Sequence, residues 1–243
     1  MSKVIQDALK SFVADLRATH RDNLHAVVLY GAAAVGDTDA RSDHNLLVAL
    51  QRITPEDLRL AQAPMREWQR LGYPVPIYFT VDELMSAADV FPIEFHKMER
   101  ARRVLYGQDP FANIEISDDN LRHQIEYELR SNLLQLRRLY IPASATPARL
   151  VELMGNSLSS FTDLFAPVLI LKGITPPTTK RALLDATVRG LNLDVTPFNA
   201  ILSHQETSDE PLSDIEANEL FTRYLAQLER VIQAVDELQH SPM

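Results

Sequence analysis

Residues 27–50, VVLYGAAAVGDTDARSDHNLLVAL, hold the side chains best placed to do chemistry. A short apolar strand ends at Gly31, where the backbone can turn sharply and come close to a ligand. A polar loop follows, and a second strand begins around Asp43. Side chains alternate along a strand, so Asp43 and Asn45 face the same way. Acids at both positions would present two carboxylates on one side, beside the glycine turn. Two carboxylates holding magnesium ions about 3.5–4 Å apart are the core of two-metal phosphoryl transfer. Here the second position is an asparagine, which offers a carbonyl oxygen to a hard cation but no charge. Arg41 stands beside Asp43 and could pair a phosphate. Asp37 and Asp39 read as solvated turn residues.

The elements that must position these residues follow from periodicity. Ile5, Ala8, Leu9, Phe12, Val13 and Leu16 give one helical stripe over residues 4–16, with Ser2 as its cap. Strands are expected at 26–30 and 45–50. Thr54-Pro55-Glu56-Asp57 starts a helix that should run to about Leu71. PVPIYF reads as a third strand whose prolines suit a beginning or an edge. Thr80 and Glu83 make a capping box for the next helix. A helix over 93–103 precedes VLYG, a fourth strand closed by Gly107.

From Asp118 on, the pattern is helical throughout. Leu121, Ile125, Leu129, Leu133 and Leu136 form one stripe. Leu150, Met154, Leu158, Phe161, Leu164, Phe165 and Leu169 form another, with Pro167 expected to kink it. Residues 183–188 form a shorter helix ended by Gly190. Thr196-Pro197 opens a further short helix. Ser213 and Glu216 cap a last one. The expected fold class is α+β: a small mixed-sheet domain at 1–115, then an all-helical bundle at 116–243.

The layout of apolar strand, glycine turn, loop and Asp43-His44-Asn45 resembles the nucleotidyltransferase superfamily, which includes the aminoglycoside and minimal nucleotidyltransferases of bacteria. The resemblance extends through PVPIYF and RRVLYGQDPF, roughly the N-terminal half. It implies a nucleotide site at Gly31, Ala32, Arg41 and Asp43, metal held by Asp43, and catalysis at Asp43 and the position of Asn45. The family's phosphate-binding serine is Ala32 here, and its second acid is Asn45. Its third carboxylate, placed on the next strand, is missing from PIYFT. Loss of metal-centred stabilisation typically removes several kcal/mol of transition-state binding. The resemblance therefore implies a degraded site that is inactive or impaired and retains a nucleotide or other small molecule in a cleft between the domains, with Mg2+ entering alongside the nucleotide. Two alternatives stand beside it. One is an active enzyme whose missing acid comes from elsewhere, such as Asp82 or Glu94. The other is a scaffold or regulatory subunit acting through its bundle, as a homodimer.

Several classes are disfavoured. With no cysteine, disulfides, zinc–thiolate sites and thiol catalysis are absent. A net charge of −9 argues against a broad nucleic-acid surface. The N-terminal residues carry charges too early for a signal peptide, and no apolar run could span a bilayer, so a cytoplasmic protein without a membrane partner is expected. The histidines show no metal spacing; His96, His123 and His204 are expected on surfaces. Arg100, Arg102 and Arg103 read as the outer face of a helix. Glu126 and Glu128 are similar in place to the general base that some aminoglycoside nucleotidyltransferases take from their bundle. The Arg-x4–6-His signature of HEPN-type ribonucleases is not found in the bundle half.

Overall fold

The computed structural model describes residues 3–35, 44–177, 179–206 and 211–238. Contacts within the chain divide it into two compact units, Met1–Ser117 and Asp118–Met243. The first contains α1 (Lys3–His20), β1 (Leu24–Tyr30), β2 (Asn45–Leu50), α2 (Pro55–Leu60), α3 (Gln62–Arg70), β3 (Ile77–Thr80), α4 (Val81–Ser86), α5 (Pro92–Arg100) and β4 (Arg102–Gly107). Its strands form one mixed sheet in the order β3-β2-β1-β4. β2 and β3 run parallel; the other neighbours are antiparallel.

The two central strands are apolar because both of their faces are covered. Val27, Leu29, Leu46, Val48 and Leu50 pack with Leu9, Phe12 and Leu16 of α1 and with Trp68 of α3. Ala26, Val28, Leu47 and Ala49 pack with Leu84, Phe95, Met98 and Phe111. A stack of rings fixes where β2 begins: Phe12 lies 4.6 Å from Trp68, Trp68 4.3 Å from Tyr73, and Tyr73 5.1 Å from His44. Polar groups close the connection between α1 and β1. Asn23 Nδ2 donates to Asp57 Oδ1 at 3.1 Å, and Asn23 Oδ1 accepts from the Arg52 N–H at 3.0 Å. Asp57 is also the N3 partner of Thr54 in a capping box.

The helix begun at Thr54 is two helices, broken at Ala61. Pro64 is responsible: it lacks an N–H for the Leu60 carbonyl, and its ring crowds that oxygen. The third strand is Ile77–Thr80 and excludes the prolines of PVP, which have no ladder donor to give. The helix expected through Arg103 stops at Arg100, and Arg102 and Arg103 belong to β4. Ala101 there leaves the helical conformation, at φ −141° and ψ 75°, and Arg102 pairs with Tyr30 of β1.

The second unit holds α6 (Asp118–Ala143), α7 (Pro147–Leu171), α8 (Lys180–Gly190), α9 (Thr196–Glu206) and α10 (Asp214–Glu237). α7 touches each of the other four, as its apolar residues require. Both predicted stripes are buried, except that Leu164 is half-buried. α7 runs unbroken through Pro167. The left-handed residue after α8 is Asn192, at φ +52°, rather than Gly190. Gly190 serves packing: a Cβ there would lie 3.2 Å from Ile174 Cδ1.

His20 closes α1 and is 5% exposed, and neither ring nitrogen has a hydrogen-bond partner. Tyr78 stands edge-on to it, with ring centroids 6.0 Å apart. Burial lowers the His20 pKa, against the opposing pull of the Asp57 carboxylate. The unfolded chain therefore takes up a proton near pH 6.5 that the folded chain resists. Stability from this group is full above that pH and falls as the pH drops through it. Urea unfolding between about pH 7.5 and 5.5 should show a shallower loss in His20→Phe than in the parent. Equal slopes would refute the assignment.

Candidate functional site

Gly31 ends β1 at φ +82°, an angle that costs side-chain-bearing residues. Its N–H donates to the Ala101 carbonyl at 2.8 Å, and its own carbonyl accepts from the Ala34 N–H at 2.9 Å. Ala32 opens the 3₁₀ turn Ala32–Val35 that follows. Across the sheet, Asn45 is the Cα partner of Tyr30. A Cβ built on Gly31 would lie 3.6 Å from Asn45 Nδ2. Gly31, Ala32 and Asn45 thus gather at one end of the central strands. Arg41 and Asp43, with Asp37 and Asp39, lie outside the described residues.

Alternation puts Asn45 on the sheet face of Leu47 and Ala49, the face covered by Phe95 and Met98 of α5. Tyr30 packs on the same side, as do Ile77 and Phe79 of β3, the partners of Leu47 and Ala49. An acid on β3 aimed at this face would have to replace Ile77 or Phe79. Every one of these described positions is neutral. Among the described residues no three His, Cys, Asp or Glu side chains group to hold a metal. Magnesium normally takes one or two protein carboxylates with substrate phosphates, and the described face offers one amide. These described strand residues by themselves make no two-metal clamp.

One acid does bear on this strand end. Burial raises the Tyr30 hydroxyl above its ordinary pKa, and the charge of Glu94 on α5 raises it further. Helix spacing marks Glu94 as an acid but says nothing about which strand end it faces. Asp82 sits in the first turn of α4. Its neighbour Glu83 is committed to the cap, accepting from the Thr80 N–H at 2.7 Å.

Other candidates have structural roles. Arg102 binds both oxygens of Asp109, its Nη2 at 2.9 Å from Oδ2, and its Nη1 donates to the Glu99 carbonyl at 2.7 Å. Glu126 accepts from Arg130 Nε at 2.7 Å and from Arg122 Nη1 at 3.1 Å. These bonds, Arg130's foremost, hold its carboxyl below the usual range and make it a poor proton acceptor. Of the three histidines expected on surfaces only His123 is exposed; His96 and His204 are half-buried.

The two positive-φ glycines of the sheet make a paired test. At Gly31 an added Cβ has room, so Gly31→Ala should cost about 1–2 kcal/mol of unfolding free energy from backbone strain. At Gly107, φ +79°, the same Cβ would collide with the His25 carbonyl oxygen. Gly107→Ala should therefore cost more than Gly31→Ala by denaturant titration. The reverse order would show that the close approach of β4 to β1 is wrong.

No protein-family model matches the chain, and no curated protein does. Solved structures do match. One is the crystal structure of the spectinomycin adenyltransferase AAD(9) from Enterococcus faecialis with ATP and spectinomycin. The two chains are 12% identical with a TM-score of 0.57, over 95% of this chain and 99% of that one. The strand–glycine turn–strand geometry and this likeness together show that the chain has a nucleotidyltransferase-like fold.

Proposed function

We propose that this protein is a nucleotidyltransferase-like protein whose adenylyl-transfer site is degraded, and that it binds a nucleotide or another small molecule without efficient catalysis. The observation that carries this is Asn45 beside Gly31, on a face where Ile77 and Phe79 are apolar. The cradle is kept while the charge is not. In the pattern of the sequence, Asp43 remains as one acid and Ala32 replaces the phosphate-binding hydroxyl. Arg41 completes the proposed nucleotide contacts, and Mg2+ accompanies the nucleotide rather than residing in the protein. The likeness to a protein solved with ATP and a small substrate supports a ligand of that kind. One acid cannot supply the paired stabilisation that is worth several kcal/mol, or several powers of ten in rate.

A second reading is favoured by Glu94, whose charge reaches Tyr30 at the same strand end. In it, Asp43, Glu94 and the substrate's phosphates hold one magnesium, and a slow transfer survives.

Calorimetric titration with ATP and Mg2+ should give saturable binding. Ala32→Ser with Asn45→Asp should tighten it by about tenfold, the value of ~1.4 kcal/mol. No saturable heat in either protein would remove the nucleotide-binding reading. Label transfer from radioactive ATP, abolished by Asp43→Ala and by Glu94→Gln, would establish the second reading over the first.

A further inference from the structure

A concavity of the first unit lies between α1 and β4, with a volume of about 510 Å³. Its apolar floor includes Leu9, Val13 and Leu105, and its cations are Lys10, Arg17 and Arg103; no carboxylate lines it among the described residues. Arg103 pairs with Leu29, which faces α1, so the groove opens on the opposite sheet face from Asn45.

Three features distinguish this groove from ordinary surface. β4 ends the sheet order, and among the described residues no strand pairs with its far edge. The register against β1 slips between Val27 and Val28, and both Leu105 and Tyr106 pack toward the α1 face. Arg17 is held over the Tyr106 ring, 4.8 Å from its centroid, which positions one cation beside the edge. Arginines and a bulge on an edge strand can be simple protection against strand addition. Protection alone calls for no trough walled by a helix. A positive trough in a chain of net charge −9 also selects its partner by sign.

We propose that this groove docks an acidic, extended peptide segment of a partner protein. The segment lies along β4, with alternate apolar side chains over Leu9, Val13 and Leu105. Its carboxylates meet Lys10, Arg17 and Arg103. This is strand addition to an open sheet edge, in which main-chain hydrogen bonds give affinity and alternate side chains give selectivity.

The test uses the full chain and a fluorescein-labelled ten-residue peptide of alternating Glu and Val, followed by anisotropy. Saturable binding is expected, weakening steeply with added salt. The Lys10→Glu, Arg17→Glu double variant, checked for folding by circular dichroism, should lose at least about tenfold in affinity. A peptide with Lys in place of every Glu should not bind the parent protein, a control that needs no variant. Hydrogen exchange should slow across residues 103–106 when the acidic peptide is bound. Absence of saturable binding, equal binding of the Lys peptide, or affinity unchanged by the double reversal would overturn the proposal. So would tighter binding of a single-stranded oligonucleotide, which would mark the groove as a polyanion site instead.

Discussion

Everything at the candidate site rests on the antiparallel pairing of β1 with β2. Both strands are buried on both faces, so their register is fixed twice over. Phe12 and Trp68 hold one face, and Phe95 and Met98 hold the other. A one-residue slip would exchange the two sets of side chains, and the packed core would not accept it. The same register sets Tyr30 against Asn45 and leaves Gly31 just beyond, with its turn facing the Asn45 amide. The ring stack from Phe12 to His44 then fixes the residue at which β2 begins. The geometry of this strand end is thus a by-product of core packing and does not depend on the charge of the residues placed there.

That separation explains how a chain can keep an architecture after the chemistry is altered. Packing energy belongs to buried apolar residues, whereas metal affinity belongs to a few carboxylates that contribute little to the core. An exchange of an acid for asparagine at position 45 would remove charge and leave the sheet pairing undisturbed. Selection on stability would not oppose such a change. The same logic applies to Ile77 and Phe79, which are better core residues than any acid would be at those positions.

Much of the fold was legible because local signals and global packing agree. The capping boxes at Thr80 and Ser213 were read from residue type and spacing alone, and the structure contains both. The apolar runs at β1 and β2 marked buried strands. What was not legible depends on contacts distant in sequence. The break at Ala61 needed attention to Pro64 rather than to helical periodicity. Arg102 joins β4 because Tyr30, far earlier in the chain, offers it a partner. The buried His20 and His44 meet the rings of Tyr78 and Tyr73, which no sequence pattern links to them. Glu94 was visible as an acid but not as a neighbour of Tyr30, because only the packing of α5 on the sheet brings them together. Of the candidate site, the glycine turn and the asparagine could be read; the side from which the charge of Glu94 reaches Tyr30 could not.

The central claim is that the face beside Gly31 lacks the anions to hold metal unaided. Manganese is a paramagnetic stand-in for magnesium, and its free signal in electron paramagnetic resonance reports binding directly. In nucleotide-free protein the account predicts that added Mn2+ stays free up to stoichiometric amounts. Loss of that signal at one or two equivalents, restored by Asn45→Ala, would show a metal centre built on this strand end and would contradict it.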